Sequence, residues 1–363
     1  MKYFSVLIKP ASSKCNINCK YCFYCDVANI RSVADYGIMS KETTEILIKK
    51  VLDAFQEEVT ITFAFQGGEP TVAGLSYFEN FIEIVNKNIK DYHYINYAIQ
   101  TNGILLDDNW VRFFKNNNFL VGVSLDGFKQ NHDSVRVKHP NKPTYDKVIK
   151  SINLLKKYDV DFNILTVLTS NLSKHPKKLF NYYLKHDFKY IQLIPCLPAF
   201  EDKEDEYALK PKEFYKFYNV FFKLWLKEYK NGNYISITYF DNIIPLFIGH
   251  PPSQCGYLGY CSMQYIIEAD GSVYPCDFYV LDKYKVGNIK EDSIFDLLKS
   301  KILKDFINEP RIKSNRCVNC RYKNICNGQC KRVSVCYYDE NYCGLEEFMK
   351  ENEKELINIA RRL

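Results

Sequence analysis

Three cysteines stand close together in the stretch CNINCKYC at residues 15–22, spaced C-x3-C-x2-C, with Phe23 and Tyr24 directly behind. Thiolates of Cys15, Cys19 and Cys22 gathered in one loop can hold three irons of a cubane cluster and leave the fourth iron open to another ligand. A structural zinc site is the alternative, and it needs a fourth ligand that Cys25 could supply. C-x3-C-x2-C is not a usual zinc spacing, so the spacing favours the open cluster.

A second constellation lies near the other end. Cys255-x5-Cys261-x14-Cys276 precedes Cys317-x2-Cys320-x5-Cys326-x3-Cys330, and Cys343 follows after twelve residues. Zinc knuckles also use C-x2-C pairs. The N-terminal stretch MKYFSVLIKPASS holds an apolar run, ending at Lys9-Pro10, that is too short for a signal-peptide core, and it has no small-residue cleavage site. No apolar run approaches the roughly 20 residues that span a bilayer. The expectation is a cytoplasmic protein with no membrane association, whose thiols stay reduced. Fourteen cysteines in such a chain point to metal or cluster ligation rather than to disulfides.

The rest of the composition narrows the class. With 29 Tyr and 25 Phe in 363 residues, the chain has ample apolar surface for a core, which excludes disorder. A formal charge of +6, with Lys and Arg interleaved among Asp and Glu, reads as an ordinary solvated surface and not as a nucleic-acid footprint.

The elements that must position the cysteines alternate regularly. Buried-strand patterns occur at 3–9, 59–65, 94–100, 119–125, 161–168 and 190–196; helical patterns lie between them at 40–55, 75–89, 107–117, 145–158 and 175–187. Ser40 before Lys-Glu-Thr-Thr is a plausible N-cap with an acidic first turn. Repeated β-α units imply an α/β fold with a parallel sheet and helices outside it. The loops at strand C-terminal ends, where such barrels carry their chemistry, hold CNINCKYCFY, QGGEP, QTNG and SLDG. Because the alternation stops near 230, a six-stranded partial barrel, (β/α)6 and open on one side, fits better than an eight-fold one. Beyond 240 the pattern changes, and YIIEADGSVYPC reads as a hairpin turning at Asp270-Gly271. Two domains are expected, 1–235 and 236–363.

CNINCKYCFY after a first strand and QGGEP after a second resemble the radical S-adenosylmethionine superfamily. The resemblance implies that the open iron chelates the methionyl amine and carboxylate of S-adenosylmethionine, and that reduction yields a 5′-deoxyadenosyl radical. It implies close approach of the methionyl group to Gly67 and Gly68, with Glu69 in the same cofactor loop, and an adenine near Tyr21 or Phe23. Gln66, Ser124 and Arg136 would meet the cofactor's polar atoms, with Arg136 suited to its carboxylate. Singly, each reads as an ordinary surface or structural residue.

The later cysteines are similar to the SPASM extension, a C-terminal domain with two auxiliary clusters, which makes three 4Fe–4S clusters in all. By that likeness Cys255, Cys261, Cys276 and Cys330 hold one, and Cys317, Cys320, Cys326 and Cys343 the other. Eight thiolates leave no open coordination site, as an electron conduit requires. Cys25 and Cys336 are then expected to be incidental buried thiols, and Cys196 to face the barrel mouth within reach of substrate. Arg311, Lys313, Arg316, Arg321, Lys323, Lys331 and Arg332 crowd this region and could offset cluster charge or form a solvated face.

Within that group, LIKPASSKCNINCKYCFY, FAFQGGEPT, QTNG, DGSVYPCDFYVLDK and GNI resemble the anaerobic sulfatase-maturating enzymes. These oxidise a Cys or Ser of a sulfatase to formylglycine. The resemblance implies hydrogen abstraction at Cβ, proton removal by a base at Asp277, and electron exit through an auxiliary cluster. A capping or salt-bridged Asp is the plainer reading of that position. The implied partners are a sulfatase peptide of the Cys/Ser-x-Pro/Ala-x-Arg type and a reductant such as flavodoxin or ferredoxin. The competing reading is a SPASM maturase that crosslinks a ribosomal peptide; many of those carry a leader-binding module, for which a first strand at residue 3 leaves no room. A tRNA-modifying enzyme should add a basic RNA-binding domain, and a plain electron carrier has no need of the GGEP loop.

Overall fold

The structure, a computed structural model, describes residues 2–138, 140–201, 205–311 and 313–363. Met1–Ser124, Arg136–Phe162 and Ser262–Glu309 form one compact unit; Leu125–Val135, Asn163–Cys261 and Pro310–Leu363 form another. Among the described residues no helix is long and apolar enough to cross a membrane.

In the first unit the strands Lys2–Ile8, Val59–Phe65, His93–Thr101 and Phe119–Ser124 pair side by side, all parallel. Their β-branched and aromatic residues suit a pleated surface covered on both sides; Val6, Ile8, Val59, Ile61, Phe63 and Val121 are all fully buried. The helices Lys41–Asp53, Leu75–Asn88, Asp108–Asn116 and Tyr145–Lys157 match the predicted patterns to within two residues. Ser40 caps the first, its side chain accepting from Thr43 N, and Asp107 caps the third through Asn109 N and Trp110 N. Trp110, Val111, Phe113 and Phe114 form the buried stripe of that helix. Each such aromatic contributes about 1.5–3 kcal/mol by leaving water.

The hairpin also belongs to this unit. Ile266–Ile267 runs parallel to Lys2–Ile8, and Ser272–Tyr274 returns antiparallel beside it. The turn holds Gly271 at φ +91°, which a side chain would strain. A buried ion pair pins this hairpin to the cysteine loop: Arg31 Nη1 donates to Glu268 Oε1 at 2.6 Å and Arg31 Nη2 to Ser12 Oγ at 3.1 Å.

In the second unit Phe162–Leu168, Tyr190–Pro195 and Ser236–Ile237 run parallel, in that order. Pro176–Lys185 and the twenty-residue Pro211–Lys230 each begin with proline, whose missing N–H is no loss at a first turn. Pro211–Lys230 buries Phe214, Phe217, Tyr218, Phe221, Phe222 and Trp225. The C-terminal helix Gly344–Ala360 docks on it, with Phe348 against Phe222 at 5.7 Å. Gly344 is required there, because a Cβ would stand 2.4 Å from the carbonyl oxygen of Pro211.

Candidate active site

The three N-terminal thiols lie between the end of the first strand and the helix Phe23–Ile30. Cys19 is held by a small antiparallel sheet in which it stands opposite Arg136. Arg136 Nη1 approaches Cys19 Sγ to 3.6 Å, and the guanidinium stacks over the Tyr21 ring at 5.6 Å. Asn102 Nδ2 lies 3.8 Å from Cys15 Sγ. Burial pushes the Cys15 thiol up to about 11, while a hydrogen bond from Cys25 draws Cys22 down to about 6. Cys25 is therefore not the buried bystander expected: it is exposed, and its free thiol is hydrogen-bonded to Cys22.

The QGGEP loop packs against this segment backbone to backbone. Gly68 N donates to Ser12 O at 2.9 Å and Glu69 N to Lys14 O at 2.8 Å. A Cβ on Gly67 would stand 2.9 Å from Ser12 O, and one on Gly68 only 2.2 Å from Lys14 O, so what meets the glycine pair is the cysteine loop itself. Glu69 is 1% exposed. Burial pushes its carboxyl up against four donors: Thr71 N, Thr71 Oγ1, Thr101 Oγ1 and Asn102 N, at 2.6–3.1 Å. It is thus a brace between the QGGEP and QTNG loops. Ser124 ends its strand, half-buried.

Asp277 opens the short 3-10 helix Asp277–Tyr279 immediately after Cys276. Three side chains surround its carboxylate. Lys9 Nζ lies 3.0 Å from Oδ1, Tyr24 Oη donates to Oδ2 at 2.6 Å, and Gln66 Nε2 lies 3.2 Å from Oδ2. Gln66 also bonds the Tyr24 hydroxyl, and Lys9 Nζ sits 4.6 Å above the Tyr24 ring. Burial, with the Asp277 charge beside it, raises Tyr24 well above the usual phenol value, so it stays a donor. Phe23 lies tilted against Tyr24, centroids 4.0 Å apart, and meets Phe278 at 5.3 Å. Asp277 is both salt-bridged and hydrogen-bonded, and it keeps access to solvent at 16% side-chain exposure. Lys9 and Asn102 carried no role in the sequence; their only signal was a place at a strand's C-terminal end.

In the second unit Cys317, Cys320, Cys326 and Cys343 line a cavity of about 440 Å³, together with Tyr338 and Met349. Backbone donors already face two of them, Gly328 N on Cys326 Sγ at 3.5 Å and Glu346 N on Cys343 Sγ at 3.4 Å. Burial pushes Cys326 to about 11 and Cys343 to about 12, so thiols rest there until a positive centre draws them into the thiolate form. Among the described residues no three Cys, His, Asp or Glu side chains converge as tightly as one ion requires. A cavity of this size ringed by four thiols suits a polynuclear cluster, whose ligands sit on separate irons.

Cys255, Cys261 and Cys330 are also near neighbours: burial pushes the Cys255 thiol up to about 11, and Cys330 and Cys261 add to the rise. Arg311 bridges this group, with Nη2 3.8 Å from Cys261 Sγ and Nη1 donating to Gln329 O at 2.8 Å. Arg316 pairs instead with Glu346 and Glu347, and Arg321 with Glu353. Cys276 belongs to the first unit. Cys196, expected at the barrel mouth within reach of substrate, is instead 2% exposed, and its carbonyl accepts from the buried Cys336 thiol at 3.3 Å.

The profile of the Radical SAM superfamily matches residues 10–182, and that of SPASM, an iron-sulfur cluster-binding domain, matches residues 255–331. The chain is 41% identical over 373 residues to the cysteine-type anaerobic sulfatase-maturating enzyme of Clostridium novyi (strain NT), across 100% of this chain and 99% of that protein. It is 30% identical to the serine-type anaerobic sulfatase-maturating enzyme of Bacteroides thetaiotaomicron, across 90% of this chain and 82% of that one. A solved structure, native anSMEcpe with bound AdoMet and Cp18Cys peptide, matches with a TM-score of 0.91 and 39% identity over 99% of each chain.

Proposed function

The chain belongs to the anaerobic sulfatase-maturating enzymes of the radical SAM superfamily, and from that premise we propose that it oxidises a cysteine of a sulfatase peptide to formylglycine. The choice of cysteine over serine is supported by the higher identity to the cysteine-type relative, 41% against 30%. Residues 1–235 are the catalytic part on this reading and 236–363 the auxiliary-cluster part. Cys15, Cys19 and Cys22 hold the cluster with the open iron. Cys255, Cys261, Cys276 and Cys330 hold one auxiliary cluster, and Cys317, Cys320, Cys326 and Cys343 the other. Tyr21, Phe23, Gln66, Ser124 and Arg136 border S-adenosylmethionine; Gly67 and Gly68 meet it through backbone alone, and Glu69, buried and bonded to Thr71, Thr101 and Asn102, supports that loop from behind. A small electron-transfer protein of the flavodoxin or ferredoxin kind supplies the electron, in the reducing cytoplasm.

When bound, the open-iron cluster and S-adenosylmethionine supply a 5′-deoxyadenosyl radical that takes one hydrogen atom from the substrate Cβ. The chain's own task is then to remove the thiol proton. Asp277 is the base, because a base must lie within hydrogen-bond reach of the proton it takes. Lys9 and Gln66 fix the two carboxylate oxygens, and Tyr24 donates to one of them, so the carboxylate is held in one orientation. Loss of the Cβ hydrogen atom, the thiol proton and one electron would leave a thioaldehyde, which water would hydrolyse to the aldehyde with release of hydrogen sulfide. The eight later cysteines would hold the auxiliary clusters that could accept that electron. The frame of Lys9, Tyr24 and Gln66 around Asp277 is the observation that carries this reading.

Incubation with a Cys-x-Pro-x-Arg peptide and with its Ser counterpart tests it. A hydrazine-reactive aldehyde from the Cys peptide is expected, with slower or no turnover of the Ser peptide. Deoxyadenosine release without aldehyde from either would contradict the reading and point to a peptide-crosslinking maturase.

A further inference from the structure

Asn102 lies in the QTNG loop, to which the sequence reading assigned no task. Its backbone N–H is held by Glu69 Oε2 at 2.7 Å, and its Oδ1 accepts from Ile104 N at 2.9 Å in a tight side-chain turn. With the main chain and Oδ1 both committed, the remaining end of the amide is fixed. Nδ2 faces Asn16 Oδ1 at 2.7 Å and Cys15 Sγ at 3.8 Å, and the residue is only 6% exposed. Arg136 Nη1 stands in the same relation to Cys19, 3.6 Å from its sulfur. Two of the three thiols thus each meet a nitrogen donor carried by a different element.

We infer that Asn102 is a positioning residue for the N-terminal cluster: its amide N–H donates to the Cys15 sulfur, fixes that ligand's orientation and raises the cluster's reduction potential. This rests on the reading of Cys15, Cys19 and Cys22 as cluster ligands. A reduced cluster carries more negative charge on its sulfurs than an oxidised one, so a donor aimed at sulfur stabilises the reduced form more. Arg136 supplies the same stabilisation with a full charge, and Asn102 adds to it without altering the net charge. Glu69 holds Asn102 in place from behind, which gives the buried QGGEP carboxylate a part in the same device.

Two variants of the full chain separate donation from packing. Asn102→Asp keeps Oδ1 for the Ile104 turn and nearly the same volume, but turns the donor into an acceptor. Asn102→Ser keeps a turn-capping oxygen and is too short to reach Cys15. After anaerobic reconstitution, an EPR-monitored redox titration follows the signal that changes on adding S-adenosylmethionine, since only a cluster with an open iron can respond. Both variants are expected to carry wild-type iron. The reduced-to-oxidised ratio at fixed potential should fall roughly tenfold in Asn102→Ser, about 59 mV for one electron, and further in Asn102→Asp. Unchanged midpoints with full iron overturn the inference. Loss of this cluster's irons alone at an unchanged melting temperature overturns it too, because one lost hydrogen bond leaves all three thiolates in place. If the wild-type chain itself gives no signal that responds to S-adenosylmethionine, the reading of the three thiols fails instead.

Discussion

Lys9 Nζ lies 3.0 Å from Asp277 Oδ1, and the lysine side chain is almost completely buried. Lys9 directly follows the first strand, and Asp277 directly follows Cys276 beyond the hairpin, so the pair joins the entry of the cysteine loop to the turn that carries Asp277. Removing the cation would strand a carboxylate in a poorly hydrated place, a change that typically costs about 3–5 kcal/mol. Lys9→Met should therefore lower the thermal midpoint clearly and abolish aldehyde formation, and calorimetry with a peptide assay checks both. Wild-type stability and turnover would show that the pair is not needed.

The glycine pair gives a sharper steric test. A Cβ on Gly68 would overlap the Lys14 carbonyl oxygen, a backbone atom that cannot swing aside. Gly68→Ala should push the cysteine loop off the QGGEP loop and lose the irons of the N-terminal cluster while keeping those of the auxiliary ones. Iron analysis, on the order of eight per chain against twelve, is the measurement.

Much of this was legible in the sequence. The parallel strands and the helices between them are marked by β-branched runs, 3.6-residue periodicity and the Ser40 cap, all local signals. Asp270-Gly271 marked the hairpin for the same reason. What stayed hidden depends on distant partners. Lys9 reads as a polar end to a strand until the fold brings Asp277 to it, and Asn102 reads as a turn residue until Glu69 and Cys15 close on it. Cys25 was misjudged because burial is not a local property; one helical turn places it beside Cys22 yet exposed. Pro211–Lys230 and Gly344–Ala360 lay outside the predicted elements, although proline at the first turn of the former was a usable signal.

Metal content tests the cysteine assignments together. Anaerobic reconstitution should give on the order of twelve irons per chain and no stoichiometric zinc. Replacing Cys15, Cys19 and Cys22 with Ala should remove about a third of the iron and stop cofactor cleavage. About four irons with stoichiometric zinc would refute the auxiliary clusters.

Tyr24→Phe probes the carboxylate's environment gently. The ring keeps its contact with Phe23, and what is lost is the hydroxyl with its hydrogen bonds to Asp277 Oδ2 and from Gln66 Nε2. A hydrogen bond to a charged group contributes about 1.5–3 kcal/mol, so aldehyde formation should slow by roughly ten- to a hundredfold. Deoxyadenosine release, measured in the same samples, should persist.

The central claim is that Asp277 takes the substrate proton after hydrogen abstraction at Cβ. Asp277→Asn keeps size and polarity but cannot accept a proton at neutral pH. With a peptide deuterated at the cysteine Cβ, the variant should still place deuterium in deoxyadenosine, while aldehyde falls by about a hundredfold or more. Aldehyde at the wild-type rate from Asp277→Asn would contradict the account.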